Sequence, residues 1–455
     1  MAATVKVVLA SVKLTMDTIT KKIRSVFETF TDNRHGGNNQ RYDVSDAALS
    51  AFSVFFTQSP SFLDAQTRIE QSGGNNDTQS IFGAYKTPSD NQIRNLLDPV
   101  APQEVYPLMA EIGQTLYESG YLDSFRVLKN QLLIAVDGTD VFSSEKISCP
   151  HCSTQKLKDG NTLCRHTVVT PVIVAPGHSQ VVPLPPEFVT PQDGSEKQDC
   201  EINATKRWLE QYATHYAPWG CTILGDDLYC HQPFCEDVLA HHMQFIFTCK
   251  PTSHTILYEW VSDQTRIGQR HTIQRLRKVG KKQFIDTYAY IKCIPLRDGD
   301  DALMVNWCEL KTTDADGTVI FYNAWATSHS ITDANVEEIV QAGRTRWKIE
   351  NENNNTLKNQ GYHLTHNFGH GKQHLSNVLT TLNLLAFLIH TALEWIDERF
   401  NELQKRLPSR RTFFENLRTL LLYLHFDSWE HLMGFMLQAL HRKRSNLPAF
   451  SPNLN

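Results

Sequence analysis

The sequence predicts an α/β fold in which a core of alternating strands and helices carries a β-rich insertion and is flanked by helical regions. Three observations predict it. Between 126 and 254, short continuous apolar runs such as LLIAV at 132–136 and CTILG at 221–225 alternate with segments of helical periodicity. From 255 to 333 the pattern changes to strand-like runs, TYAYIKCIPL, ALMVNWCEL and TVIFYNAWAT. The first 125 residues and the last 60 or so carry apolar positions at helical spacing instead. The expected organisation is therefore a helical region over 1–125, a core over 126–254 and 334–396, an insertion over 255–333, and C-terminal helices over 397–455.

Composition bounds the function classes. A chain of 455 residues can bury a sizeable core. Its net charge of −5 argues against binding nucleic acid by bulk electrostatics, but leaves room for local basic patches. The start, MAATVKVVLASVKLTMDTITKK, lacks the apolar run of an export signal, so a cytoplasmic protein is expected. Val378–Ile396 is the most apolar later stretch. Thr380, Thr381, Asn383 and His390 interrupt it, so it reads as a core helix and no membrane partner is expected. Ten cysteines spread over such a chain fit reduced thiols and metal ligands better than a disulfide framework.

Taken in order, residues 1–31 suggest an amphipathic helix, and Asp32–Gln40 (DNRHGGNNQ) a polar hinge. A helix is expected from Val44 towards Phe62, then a loop at Gln71–Thr78. Thr87-Pro88-Ser89-Asp90 is a helix-start signal, and a further helix follows near Gln103–Ser119. Such a helical region fits either reading of DNA ends or a scaffold that only packs or dimerises. The core strands are LLIAV, His166–Ala175, Gln180–Leu184, CTILG and Phe245–Cys249, with helices at about Asp199–Ala217 and Pro233–His242 between the last three. After the insertion come a charged helix, RTRWKIENENNNTLK at 344–358, then a Gly/His-rich connection and helices at 376–396, Thr412–Leu424 and Trp429–Leu440, with a loose tail from Ser445.

The first and fourth core strands end in acidic residues, Asp137-Gly138 and Asp226-Asp227. Strand, strand, strand, helix, strand, helix, strand is the order of a ribonuclease H-like core, where the first and fourth strands lie side by side and their C-terminal carboxylates converge. Open α/β sheets generally place their sites at strand C-termini. A third carboxylate is expected from the charged helix. Each helical residue advances about 100°, so Arg346 and Glu350 share a face at i,i+4, where a guanidinium can orient a carboxylate, and Glu352 points about 200° away from Glu350. Asp137, Asp226 and Glu350 are thus the expected catalytic residues and ligands of magnesium or manganese. Two such hard cations, about 3.5–4 Å apart, can activate a nucleophile and stabilise the leaving oxygen in phosphodiester attack.

AVDGTD, LGDDLY and RWKIE followed by LKNQGYHLTHNFGHG resemble the DDE transposases of bacterial insertion sequences, in the large group with a β insertion before the glutamate. The resemblance covers roughly 130–375, and PSDNQIRNLLDPV upstream is also similar. In that group the second aspartate lies three residues before an aromatic, which selects Asp226, three before Tyr229, over Asp227. Arg346, Trp347, Ile349 and Glu350 fit the centre of the family's glutamate motif. The place of its leading aromatic is Gly343, and its lysine falls on Leu357, with Lys358 one step later and about 100° further round the helix. The resemblance implies an enzyme that cuts element ends and joins their 3′-hydroxyls to target DNA, acting on double-stranded DNA as at least a homodimer. A metal-dependent nuclease without strand transfer, or a non-catalytic DNA- or zinc-binding descendant, are the alternatives.

Two further groupings stand out. Cys149-x2-Cys152 followed by Cys164 and His166 has the spacing of a four-coordinate structural zinc site, with Cys200 able to replace His166 or Cys164. Arg266–Lys282 holds seven basic residues and no acid, so Arg275, Arg277, Lys278, Lys281 and Lys282 are expected DNA-backbone contacts, together with Arg346 and Lys358. Lys405, Arg406, Arg410 and Arg411 form a weaker patch. His363, His366, His370 and His374 are spaced irregularly and are assigned a structural or DNA-contacting role in preference to metal ligation.

Overall fold

The computed structural model describes residues 14–34, 41–71, 81–83, 86–191 and 199–441. The expectations for residues 1–13, 35–40 and 72–78 and for the tail from 445 lie outside these. Two compact units emerge, one of residues 1–115, 359–363 and 374–455, the other of residues 116–358 and 364–373.

The first unit is helical. Val44–Phe56 is buried along nearly its whole length and packs on Leu375–Ile396, which is buried from Leu375 to Leu393 apart from Ser376. Aromatic rings from Phe56, His390 and Trp429 meet at their interface, Phe56 lying 4.4 Å from the His390 ring and 5.4 Å from that of Trp429. Leu375–Ile396 is long and apolar enough to cross a membrane, yet 83% of its most apolar window is buried inside the protein, which makes it the core helix of this unit. The start signal near 87–90 works through Ser89, whose backbone N–H donates to Gln92 Oε1 at 3.2 Å at the head of Asp90–Leu97.

The second unit is built on a mixed sheet. Its strands in chain order are β1 Leu132–Ala135, β2 Gly138–Ser144, β3 Ser153–Lys156, β4 Thr162–Val169, β5 Val172–Val174, β6 Val182–Pro183, β7 Glu187–Phe188, β8 Cys221–Gly225, β9 Gln244–Thr248, β10 His271–Val279, β11 Lys282–Pro295, β12 Met304–Asp314 and β13 Val319–Thr327. Nine of them form one sheet in the order β10-β11-β12-β13-β9-β8-β1-β5-β6. β1, β8 and β9 run parallel, while β5 and β6 are antiparallel additions on one side. β1 and β8 are buried at every position, as strands covered on both faces must be. The strands of 255–333 continue this same sheet, because β13 pairs antiparallel with β9 through Trp325 opposite Thr248.

The expected single strand 166–175 is in fact two. Pro171 has no N–H to offer a ladder, and the chain turns there: β4 joins β2, β3 and β7 in a separate small sheet, while β5 enters the large one. Thr170 N donates to Asp137 O at 3.1 Å, so the crossing point is tied to the end of β1. All ten cysteines are free thiols.

The helix Val336–Thr345 lies against β9 and packs tightly at Gly343. A Cβ there would stand 2.8 Å from the Trp325 ring and 3.0 Å from Ile246. This explains why no aromatic residue occupies position 343: Trp325 of β13 already fills that space. Gly343→Ala should cost about 1–3 kcal/mol through overpacking, read as a lower thermal midpoint with unchanged circular dichroism. An unchanged midpoint would show that the helix is free to shift away from the sheet.

Candidate active site

Two carboxylates are brought level by strand register. In the parallel β1–β8 pair Ala135 stands opposite Leu224, and Val136 N donates to Leu224 O at 2.9 Å. Asp137 and Asp226 each follow two residues later, so the two half-buried side chains leave adjacent strands at the same height. Gly225 makes the turn after β8 possible, since a Cβ there would come within 2.9 Å of Tyr229 and 3.0 Å of Phe247. Asp226 then caps the short turn that follows, its Oδ1 accepting from Leu228 N at 2.9 Å.

Glu350 comes from the charged segment, which is not one regular α-helix. Val336–Thr345 gives way to a π-helical stretch, Ile349–Asn354, before Asn355–Asn359 resumes α-helix. Widened turns of this kind occur often at functional sites. Arg346 Nη2 pairs with Glu350 Oε1 at 2.6 Å, and the guanidinium is mostly buried while the carboxylate is half in solvent. One turn on, Asn354 Nδ2 donates to Asp137 Oδ2 at 3.4 Å, and Asn353 Nδ2 donates to Asn354 Oδ1 at 3.0 Å and to Thr170 Oγ1 at 3.2 Å. The glutamate segment is therefore bonded directly to the aspartate at the end of β1.

The electrostatics of Asp137 report the same gathering. Burial pushes its carboxyl up to about 7, helped by Glu201, Glu350 and Asp226, while Arg346 pulls the other way. Glu201 was not anticipated from sequence. It begins the helix Glu201–Tyr216, accepts from Gly138 N at 2.9 Å and from the buried Tyr229 hydroxyl at 2.6 Å, and so links the residue after Asp137 to the aromatic after Asp226. A Cβ at position 138 would sit 2.5 Å from Glu201 Oε2, so any larger residue there would displace the Glu201 carboxylate from this position. The one signal available in sequence was an acidic residue in the first turn of the helix before β8.

The neighbouring acid, Asp227, is used otherwise. It accepts from Lys250 N at 2.6 Å and from Ser253 Oγ, and lies 3.3 Å from His254, pinning the loop after β9. Leu357 is a fully buried core residue and Lys358 is half-buried beside it. On the basic hairpin β10–β11, Arg275 pairs with Glu337 and Arg277 with Asp286, both at 2.7 Å, while Lys278, Lys281 and Lys282 stand exposed around the turn.

The cysteine grouping assembles with one change of partner. Cys149, Cys152 and His166 gather with His370, and the four ligand atoms lie within 4.8 Å of one another. Cys164 is outside the cluster. It precedes His166 by two residues on β4, paired with Ser144 of β2 and Thr154 of β3, and its sulfur is not among the four ligand atoms that gather. Cys200 is an exposed residue at the head of Glu201–Tyr216. His370, expected in a structural or DNA-contacting role, stands beside the two cysteines and His166. A second buried grouping, Cys230, Cys249 and His254, borders Asp227.

Compared with protein families, residues 187–388 match the model described as the transposase DDE domain. No curated protein matches the chain. The matched segment contains Asp226 and Glu350; Asp137 lies upstream of it, so its assignment rests on the β1–β8 register.

A carboxyl raised from near 4 to about 7 favours the protonated fold. Its contribution to stability is fully present below the unfolded value and is lost as pH rises through about 7. Between about pH 5 and about pH 8 the metal-free chain should therefore lose a few degrees of thermal midpoint relative to Asp137→Asn, with manganese or magnesium recovering the loss. Parallel pH profiles for the two proteins would contradict this.

Proposed function

We propose that this chain, whose residues 187–388 match the transposase DDE domain model, is an insertion-sequence transposase that cuts the ends of its element and joins the freed 3′-hydroxyls to target DNA. The observation that carries the proposal is the convergence of Asp137, Asp226 and Glu350. Two of them come level from parallel strands, and the third lies on a segment hydrogen-bonded to the first. The strand order β6-β5-β1-β8-β9, with β5 antiparallel and β8 parallel to β1, supports reading the core as ribonuclease H-like.

The donors suit a hard divalent cation. All are carboxylate oxygens, and the accumulated negative charge that raises Asp137 is what a cation would relieve. Magnesium or manganese held by Asp137, Asp226 and Glu350 would polarise the attacking and leaving oxygens of the phosphodiester. The protein's own groups do the rest. Arg346 orients Glu350 through their ion pair, and its other terminal nitrogen is buried with no hydrogen-bond partner among the described residues, so a phosphate would reach it only after a local opening. Asn354 orients Asp137, and Glu201 fixes the backbone that follows it.

DNA is the partner the family implies. In this reading Lys278, Lys281 and Lys282 at the hairpin turn contact its backbone, with Lys358 closer to the reacting strand. Arg275 and Arg277 exchange their present acidic partners for phosphate, and each phosphate neutralised steepens the salt dependence. Joining two ends requires at least two copies of the chain.

The test is incubation of the full chain with element-end DNA, a target plasmid and Mg²⁺. Wild type should yield nicked ends and joined product, and Asp137→Ala, Asp226→Ala and Glu350→Ala should each lose roughly 10²–10³-fold or more. Glu352→Ala should retain activity. Cleavage without joined product would leave a nuclease, and activity surviving Asp137→Ala would remove that residue from the site.

A further inference from the structure

We infer that Cys149, Cys152, His166 and His370 form a closed structural zinc site, independent of the carboxylate centre, which staples the segment following Glu350 to the small sheet following Asp137. The four residues arrive from three places. Cys149 and Cys152 sit in the turn between β2 and β3, His166 lies on β4, and His370 belongs to the connection 364–373.

Their spacing is that of ligands around one ion. Cys149 Sγ is 3.9 Å from Cys152 Sγ and 3.2 Å from His166 Nε2, and Cys152 Sγ is 3.6 Å from His370 Nε2. A tetrahedral zinc with bonds of about 2.3 Å to sulfur and about 2.0–2.1 Å to nitrogen requires edges of about 3.8 Å between sulfurs and about 3.5 Å between sulfur and nitrogen. The two sulfurs are far beyond the roughly 2.05 Å of a disulfide. Both histidines point the same ring nitrogen, Nε2, into the cluster. Cys149 N points at Cys152 Sγ from 3.4 Å, an amide placed to stabilise a thiolate.

The surroundings fit a closed shell. Cys152, His166 and His370 are each less than a tenth exposed. Phe142 covers the histidines, its ring 5.9 Å from that of His166 and 4.4 Å from that of His370. Two thiolates and two imidazoles in a tetrahedron, with no open position, are the donor set of structural zinc and offer no site for substrate. Zinc binding would release the two thiol protons to solvent.

The consequence is mechanical. Asp137 directly precedes β2, whose other end leads into the Cys149–Cys152 turn, and Glu350 precedes His370 by a single short helix and loop. An ion binding both ends closes a loop through the two catalytic segments and limits how far the glutamate segment can move from β1. It would add to the hydrogen bonds from Asn354 to Asp137 and from Asn353 to Thr170.

The experiment measures metal by mass spectrometry on the full chain purified from zinc-supplemented culture. Wild type, Asp137→Ala and Cys164→Ser should carry about one zinc per chain, and Cys152→Ser and His370→Asn should fall below about 0.1. Should those two variants fail to fold, wild type answers alone. A mercurial titration should release its zinc in step with thiol modification, and cobalt substitution should give the thiolate charge-transfer and intense visible bands of a tetrahedral two-sulfur site. Wild-type chain without zinc and without such a cobalt spectrum would overturn the assignment, as would loss of zinc in Cys164→Ser with retention in His370→Asn. Loss of zinc in Asp137→Ala alone would move the ion to the carboxylate site.

Discussion

The candidate site depends first on the register of two parallel strands. Once Ala135 pairs with Leu224, the residues two steps beyond must emerge side by side, whatever the loops do. A one-residue slip would turn one of the two carboxylates to the opposite face of the sheet. The register is protected by burial, because β1 and β8 have no exposed position, so a slip would present the wrong side chains to packed layers on both faces. Glu201 adds a polar lock at the open end, binding the backbone beyond β1 and the tyrosine beyond β8 with one carboxylate.

That lock has an electrostatic cost. Glu201 contributes, after burial itself, the largest upward push on Asp137, and Glu350 and Asp226 add to it. Arg346 opposes them. Concentrating like charges around a half-buried carboxyl weakens the metal-free fold locally and favours cation binding, which is the arrangement expected where a site is shaped for a charge it does not itself carry. Asp227, by contrast, satisfies backbone and side-chain donors of one loop.

Much of this was legible in the sequence because it is local. LLIAV-Asp and CTILG-Asp combine an apolar run of strand length with an acidic end, and Arg346 and Glu350 carry their relationship in their spacing. What escaped was non-local or depended on exact volume. His370 lies 218 positions from Cys152, so nothing in spacing could prefer it to Cys164, whose sulfur stays outside the four gathered ligand atoms. The split of 166–175 turns on Pro171, a visible breaker whose effect, sending β4 to a second sheet, needs the partners β2 and β3 to be known. The π-helical stretch has no signature in the sequence, and Gly343 makes sense only once Trp325 is found against it.

The central claim is that Asp137, Asp226 and Glu350 surround one cation site. Iron(II) bound in place of magnesium, with ascorbate and hydrogen peroxide, cuts the polypeptide wherever backbone lies beside the ion. Fragments mapped on the full chain should end near 137, near 226 and near 350, and excess Mg²⁺ should suppress all three cuts together. Cutting confined to one of these segments, or cuts that respond separately to Mg²⁺, would contradict a shared site.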